Sequence, residues 1–99
     1  MLKCLVLSVA LFAGPAFAQE TLKFDSARLC AWQSANNGMD AGECAKLEDE
    51  GKTIVAELES AVDADRKTAC VAEGNSFAGD SGFASYTLYA SCLKDGPSN

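Results

Sequence analysis

Apolar residues recur at helical spacing from Asp40 to Glu73, and this pattern predicts one long amphipathic helix. Asp40 and Glu43 have the spacing of a capping box at a helix start. Gly74 follows the last apolar position and provides a stop. Gly51 lies inside the apolar stripe, so either another helix packs closely there or the helix bends, and we expect close packing. The rest of the stripe comprises Cys44, Leu47, Ile54, Val55, Leu58, Ala61, Val62, Ala69 and Ala72.

Two shorter helices flank the long one. The first is expected from Thr21 to Asn36, where the following Asn and Gly tolerate the left-handed backbone that ends a helix. The last is expected from Asp80 or Ser81 to Lys94, with apolar residues spaced by three and four. The short link before Asp40 predicts an antiparallel hairpin. The predicted fold is therefore all-α, a single domain over residues 19–99 with a short, a long and a short helix in an up-down arrangement.

The first residues have the pattern of a secretory signal peptide. Lys3 provides the positive start, Leu5 to Phe12 form the apolar run, and Ala16-Phe17-Ala18 forms a small-x-small cleavage site. The segment is too short to cross a membrane. We therefore expect residues 1–18 to be removed, leaving a periplasmic or secreted protein that has no contact with the membrane.

The cysteines predict a covalent framework. Removal of the signal peptide also removes Cys4, which leaves four cysteines. Four cysteines in a small exported chain indicate two disulfides. The alternative is a metal site, but the chain has no CxxC pair to support it. In a continuous long helix Cys44 and Cys70 would lie about 39 Å apart, far beyond the roughly 7 Å limit between bridged Cα atoms. The hairpin brings Cys30 level with Cys44, and the returning last helix brings Cys92 back toward Cys70. The predicted pairs are Cys30–Cys44 and Cys70–Cys92.

The sequence contains no recognisable catalytic arrangement. Gly79-Asp80-Ser81-Gly82 matches the segment around the nucleophile of chymotrypsin-like proteases, but the chain has no histidine to act as base. The same absence removes the usual metal ligand, and the Gly-rich loop lacks phosphate-binding spacings. We therefore expect no enzyme activity, no metal and no other cofactor, and we interpret the tetrapeptide as a loop and helix cap.

The charge of the chain favours some partners over others. A net charge of −6 at pH 7 argues against nucleic acid and anionic membranes, and it favours a basic protein partner. The acidic clusters at Glu48-Asp49-Glu50 and at Asp63 with Asp65 are interpreted as solvated surface, with Glu48 paired to Lys52 one turn later.

Three residues are candidates for a binding surface. Asp65 falls in the middle of the apolar stripe, where it either accepts hydrogen bonds from the following Gly-rich loop or marks a functional pocket. Phe77, in that loop, either folds back as a plug on the core or serves as a binding anchor. Tyr89 lies one step off the apolar line of the last helix and is the surface candidate, whereas Trp32 and Tyr86 are expected in the core.

The cysteine layout carries a further indication. One cysteine is followed about a dozen residues later by another at a helix start, Arg66 stands four residues before Cys70, and a Gly/Ser-containing link leads to the fourth cysteine. This layout, from Cys30 to Cys92, resembles the LprI-like lysozyme-inhibitor family of small exported proteins, although Asp63 replaces the aromatic residue expected one turn before the Arg. The resemblance implies a helical, disulfide-stapled binder of lysozyme-type enzymes, and it carries over no binding residue.

The function predicted from these observations is binding or inhibition of another protein, in particular of a basic lysozyme-type enzyme. Two alternatives stay open. One is a stress-protective or chaperone-like factor in the same compartment, and the other is an accessory subunit of a periplasmic redox enzyme. The sequence leaves the oligomeric state open.

Overall fold

The computed structural model describes residues 21–97, and these residues are mostly helical. The five helices of this region are α1 (Ser26–Asn37), α2 (Ala41–Leu58), α3 (Ala64–Gly74), α4 (Ala78–Ser81) and α5 (Tyr86–Asp95). Residues 21–97 contain no strand, and one isolated bridge joins Phe24 to Ala84. The all-α prediction is confirmed, whereas the simple three-helix arrangement is not. The signal peptide expected at residues 1–18 lies outside the described residues.

The long helix expected from Asp40 to Glu73 is interrupted, so that prediction is wrong. Residues 59–63 form a turn between α2 and α3. Asp63 then caps the new helix, accepting a hydrogen bond from the backbone N–H of Arg66 at 2.7 Å. Asp favours this capping geometry over a place inside a helix, because its carboxylate satisfies a backbone donor at the helix start. Apolar periodicity continues across the turn and therefore does not reveal it.

The first two helices form the predicted hairpin. α1 starts later than expected because Asp25 is its N-cap and accepts from the N–H of Arg28 at 3.1 Å. Gly38 ends α1 with a left-handed φ of 69°. Asp40 caps α2 as predicted, accepting from the N–H of Glu43 at 2.9 Å.

The last helix also begins later than expected. Asp80 and Ser81 belong to the short α4, which ends at Gly82 with φ of 86°. Ser85 is the N-cap of α5, and its side chain accepts from the N–H of Leu88 at 3.2 Å. α5 packs against both α2 and α3 and provides much of the core. Its buried residues are Tyr89, Ala90, Cys92 and Leu93.

The close packing expected at Gly51 is confirmed. A Cβ atom added at Gly51 would lie 2.7 Å from the backbone carbonyl carbon and oxygen of Tyr86. The first turn of α5 therefore rests directly on the backbone of α2, which continues through Gly51 to Leu58. Only a residue without a side chain permits this approach.

The disulfides have the predicted pairing. Cys30–Cys44 joins α1 to α2, Cys70–Cys92 joins α3 to α5, and the Cα atoms are 5.6 Å apart in each. Disulfides of this kind form in oxidising compartments outside the cytoplasm. None of the helices within residues 21–97 has the length and apolar composition needed to cross a bilayer.

Candidate binding site

A buried carboxylate joins α2 to the start of α5. Glu48 was expected on the surface beside Lys52, but it is 2% exposed, so that prediction is wrong. Its Oε2 accepts from Ser85 Oγ at 2.6 Å and from the N–H of Thr87 at 3.2 Å, and its Oε1 accepts from the N–H of Tyr86 at 2.7 Å. The first N–H groups of a helix have no partner within the helix and lie at its positive end. The carboxylate of Glu48 provides an acceptor for these N–H groups and a negative charge at the positive end of the helix.

An arginine binds the other end of α5. Nη1 of Arg66, on α3, donates to the carbonyl oxygen of Leu93 at 3.0 Å. Carbonyl groups in the last turn of a helix lack partners and lie at its negative end, where a cation is favourable. α5 is therefore held at both ends by side chains whose charges are opposite to the partial charges of the helix.

Two half-open cavities lie along the contact between α2 and α5. The Gln33 cavity has a volume of about 160 Å³. The Ile54 cavity has a volume of about 170 Å³. Leu47 and Thr87 line both cavities, so the two share one boundary. The residues that line the Gln33 cavity and not the Ile54 cavity are Gln33, Met39, Cys44, Glu48, Phe77, Ser85 and Leu88.

Leu47 is exposed between these cavities. It is 37% exposed and is the only exposed large hydrophobic residue among residues 21–97. Glu43 and Glu50 lie one turn before and one turn after it on the same side of α2, and both are exposed. We call the surface formed by Leu47, Glu43, Glu50 and the two cavities the Leu47 face. This face combines an exposed apolar side chain, two adjacent cavities and the negative charges of Glu43 and Glu50.

Two polar side chains in the lining of the Gln33 cavity have a weak hydrogen bond or none within the described residues. Gln33 is 9% exposed, and its Nε2 donates only to a weak acceptor, the Sγ of Cys44, at 3.7 Å. The Oγ1 of Thr87 is buried and has no hydrogen-bond partner among the described residues. Buried polar atoms are usually hydrogen-bonded, so the Thr87 hydroxyl is an exception, and it lies in the lining of the cavity.

Of the three predicted surface candidates, Phe77 alone lies at this site. Its ring is half-buried, with the ring centroid 5.7 Å from that of Trp32, and it forms part of the cavity wall. Asp65 is exposed in the first turn of α3 and lines neither cavity. Its side chain makes no hydrogen bond to the loop after α3 in the described region. Because the helix is interrupted before Asp65, its expected position in a continuous apolar stripe does not exist.

The expected surface position of Tyr89 is wrong. Tyr89 is 2% exposed and belongs to the core, while Tyr86 and Trp32, expected in the core, are half-buried. The ring of Tyr86 stacks on that of Phe24 with centroids 3.8 Å apart. Burial raises the pKa of the Tyr89 phenol above its usual 10, and the negative charge of the Glu59 carboxylate adds to this.

The sequence contained a signal for Glu48 that the apolar pattern alone did not use. Cys44, Glu48, Gly51 and Val55 are spaced by four, three and four residues, and all four are buried on α2. Glu48 completes this line, so its spacing alone places it on the buried side. Leu47 lies about 100° away from it around the helix, which leaves Leu47 at the edge of the core.

Comparison with protein-family models, with curated proteins and with solved structures found no match for this chain. The fold and the site define a small, disulfide-stapled helical protein with an apolar, acid-flanked surface. The likeness to LprI-like lysozyme inhibitors rests on cysteine spacing and stays a prediction.

Proposed function

We propose that this chain is an exported protein-binding module that docks onto a basic protein through the Leu47 face. The exposure of Leu47 between two cavities carries the proposal. Burying a leucine against a partner removes apolar surface from water, which is favourable by about 25 cal/mol for each Å². Glu43 and Glu50 beside it would attract a basic surface and orient it during association.

A basic lysozyme-type enzyme is the first partner to test. The cysteine spacing, the net charge of −6 and the two disulfides support an exported inhibitor of this kind. The signal-like residues 1–18 support export to the periplasm or out of the cell. In this proposal the protein acts by covering the enzyme, without chemistry of its own.

The test compares two substitutions that add the same charge on opposite sides of α2. Leu47→Glu alters the proposed face, whereas Ala56→Glu changes an exposed residue nine positions later, about 180° around the helix. We expect the disulfide-bonded protein to bind the enzyme and to slow cell-wall lysis. Leu47→Glu should weaken binding about 10-fold or more, and Ala56→Glu should change it less than about twofold. Calorimetric titration measures the affinities.

Two results would contradict the proposal at different levels. Equal effects of the two substitutions would mean that another surface binds. Failure to slow lysis at micromolar protein would remove the lysozyme-type target, and capture of partners from an envelope extract would then test the general binding function. A single stoichiometric partner lost with Leu47→Glu supports binding, whereas many clients captured only in acid would support a protective role.

A further inference from the structure

The Gln33 cavity has the size and lining of a site for one aromatic ring. We propose that it accepts the phenol of a tyrosine side chain presented by the protein partner. This inference rests on the proposed function, because it names the anchor that enters beside Leu47. It also makes a claim about the cavity that can be tested without any partner.

The volume and the walls favour a ring. An apolar cavity of about 150 Å³ in another protein holds a benzene molecule, and the Gln33 cavity has a volume of about 160 Å³. Its apolar walls come from Met39, Leu47, Phe77 and Leu88. Thioether sulfur and aromatic side chains both make favourable contacts with an aromatic ring.

The polar lining favours a ring that carries a hydroxyl group. The Nε2 of Gln33 donates to sulfur, which is a weak acceptor, and the hydroxyl of Thr87 has no partner in the described region. Threonine in a helix populates two χ1 rotamers, so the Thr87 hydroxyl can turn toward a ligand in the cavity. A phenol both donates and accepts hydrogen bonds and can therefore pair with either group.

Other anchors satisfy this lining less well. A phenylalanine ring would fill the space but leave both polar groups as they are. A carboxylate would be repelled by Glu48, which also lines the cavity. A lysine or arginine would be attracted by Glu48, but it would have to give up its hydration between mostly apolar walls, which costs more than burial of a neutral phenol. Tyrosine is also among the residues that contribute most to protein interfaces.

The test uses the side-chain analogues p-cresol for tyrosine and toluene for phenylalanine. Each is titrated into the disulfide-bonded protein, and binding is measured from NMR shifts of the Met39 and Leu88 methyl groups. We expect p-cresol to bind roughly 3- to 10-fold more tightly than toluene, which is the effect of one added hydrogen bond. Thr87→Val combined with Gln33→Leu should remove this preference while toluene still binds. Ser91→Ala, which changes the lining of the Ile54 cavity alone, should preserve it.

Several outcomes would overturn the inference. These are absence of p-cresol binding, equal binding of p-cresol and toluene, and a preference that persists in the double variant. If the double variant does not fold, nuclear Overhauser contacts between p-cresol and Met39 in the unchanged protein decide instead, and their absence overturns the proposal.

The p-cresol titration and the effect of Leu47→Glu on partner binding test the tyrosine anchor and the docking face separately. If p-cresol fails but Leu47→Glu still abolishes partner binding, the docking face stands and the tyrosine anchor is wrong. If p-cresol binds selectively while no partner depends on Leu47, both the docking face and the protein-borne tyrosine are wrong, although the cavity binds phenols.

Discussion

At the scale of single residues, Glu48 links parts of the chain that are far apart in sequence. Its carboxylate binds Ser85, Tyr86 and Thr87, which lie 37 to 39 residues later. Hydrogen bonds that involve a charged group are stronger than neutral ones, and their loss leaves buried donors without an acceptor. Glu48 is therefore one of the residues that fix the position of α5 against α2.

Replacement of Glu48 should destabilise the fold. Glu48→Gln keeps the shape but puts an amide NH₂ group in place of one acceptor oxygen, opposite the donors of α5. We expect a loss of about 2 kcal/mol in the free energy of unfolding, measured by urea denaturation at neutral pH. Glu57→Gln makes the same chemical change on an exposed part of α2 and should cost less than about 0.5 kcal/mol. Equal, small losses in the two variants would show that Glu48 does not hold α5.

Tyr89 gives the fold a dependence on alkaline pH. Its pKa is raised above 10 in the folded protein by burial and by Glu59, so the unfolded chain loses this proton first as the pH rises. The stabilisation is complete below about pH 10 and is lost as the pH increases through the folded-state pKa.

Comparison with Tyr89→Phe isolates this effect. The unfolding free energy of the unchanged protein should fall more steeply between about pH 9 and about pH 11 than that of the variant, which lacks the titrating phenol. Denaturant titrations across this range measure both slopes. Parallel curves would mean that Tyr89 does not cause the alkaline loss.

At the scale of elements, helix boundaries follow from N-capping residues. Asp25, Asp40, Asp63 and Ser85 each accept a hydrogen bond from the N–H three residues later. The capping box at Asp40 was recognisable because an apolar run follows it. Asp63 lies inside a continuing periodic pattern, and Ser85 competes with Asp80 and Ser81 nearby, so the sequence-based prediction missed both starts. It also placed the start of α1 at Thr21, four residues before Asp25.

The contact between α2 and α5 should not tolerate a side chain at Gly51. Gly51→Ala would gain helix propensity of about 1 kcal/mol, but its methyl group would meet the backbone of Tyr86 and Thr87 at 2.7 to 2.8 Å. Backbone atoms cannot move aside as a flexible side chain can, so we expect a net loss of about 1–3 kcal/mol. Thermal unfolding measures it.

Gly79→Ala provides the matched control for this change. An added Cβ at Gly79 meets no atom within 4 Å, so the melting temperature should be unchanged or slightly higher. A Gly51 variant as stable as this control would show that the two helices do not touch as closely as described.

At the scale of the whole molecule, α5 is the element on which the others converge. Glu48 from α2 and Arg66 from α3 bind its two ends, and the Cys70–Cys92 disulfide ties it to α3. α1 is attached to α2 by the Cys30–Cys44 disulfide. The Leu47 face arises at the α2–α5 contact, so the proposed binding surface depends on the same interactions that place α5.

The sequence by itself determined the helical class, the α1–α2 hairpin and both cysteine pairs. The class and the hairpin depend on local periodicity and on a short link, which are properties of neighbouring residues. The helix that was used to exclude a Cys44–Cys70 bond is interrupted at residues 59–63. The pairs are nevertheless correct, because the hairpin brings Cys30 within reach of Cys44 and leaves Cys70 and Cys92 for each other. The tertiary structure alone decided that Glu48 binds the first turn of α5, that Tyr89 is in the core and that Leu47 is exposed between two cavities. Each of these depends on contacts with residues distant in the sequence, and an amphipathic pattern shows that a side chain faces other protein atoms without showing which atoms they are.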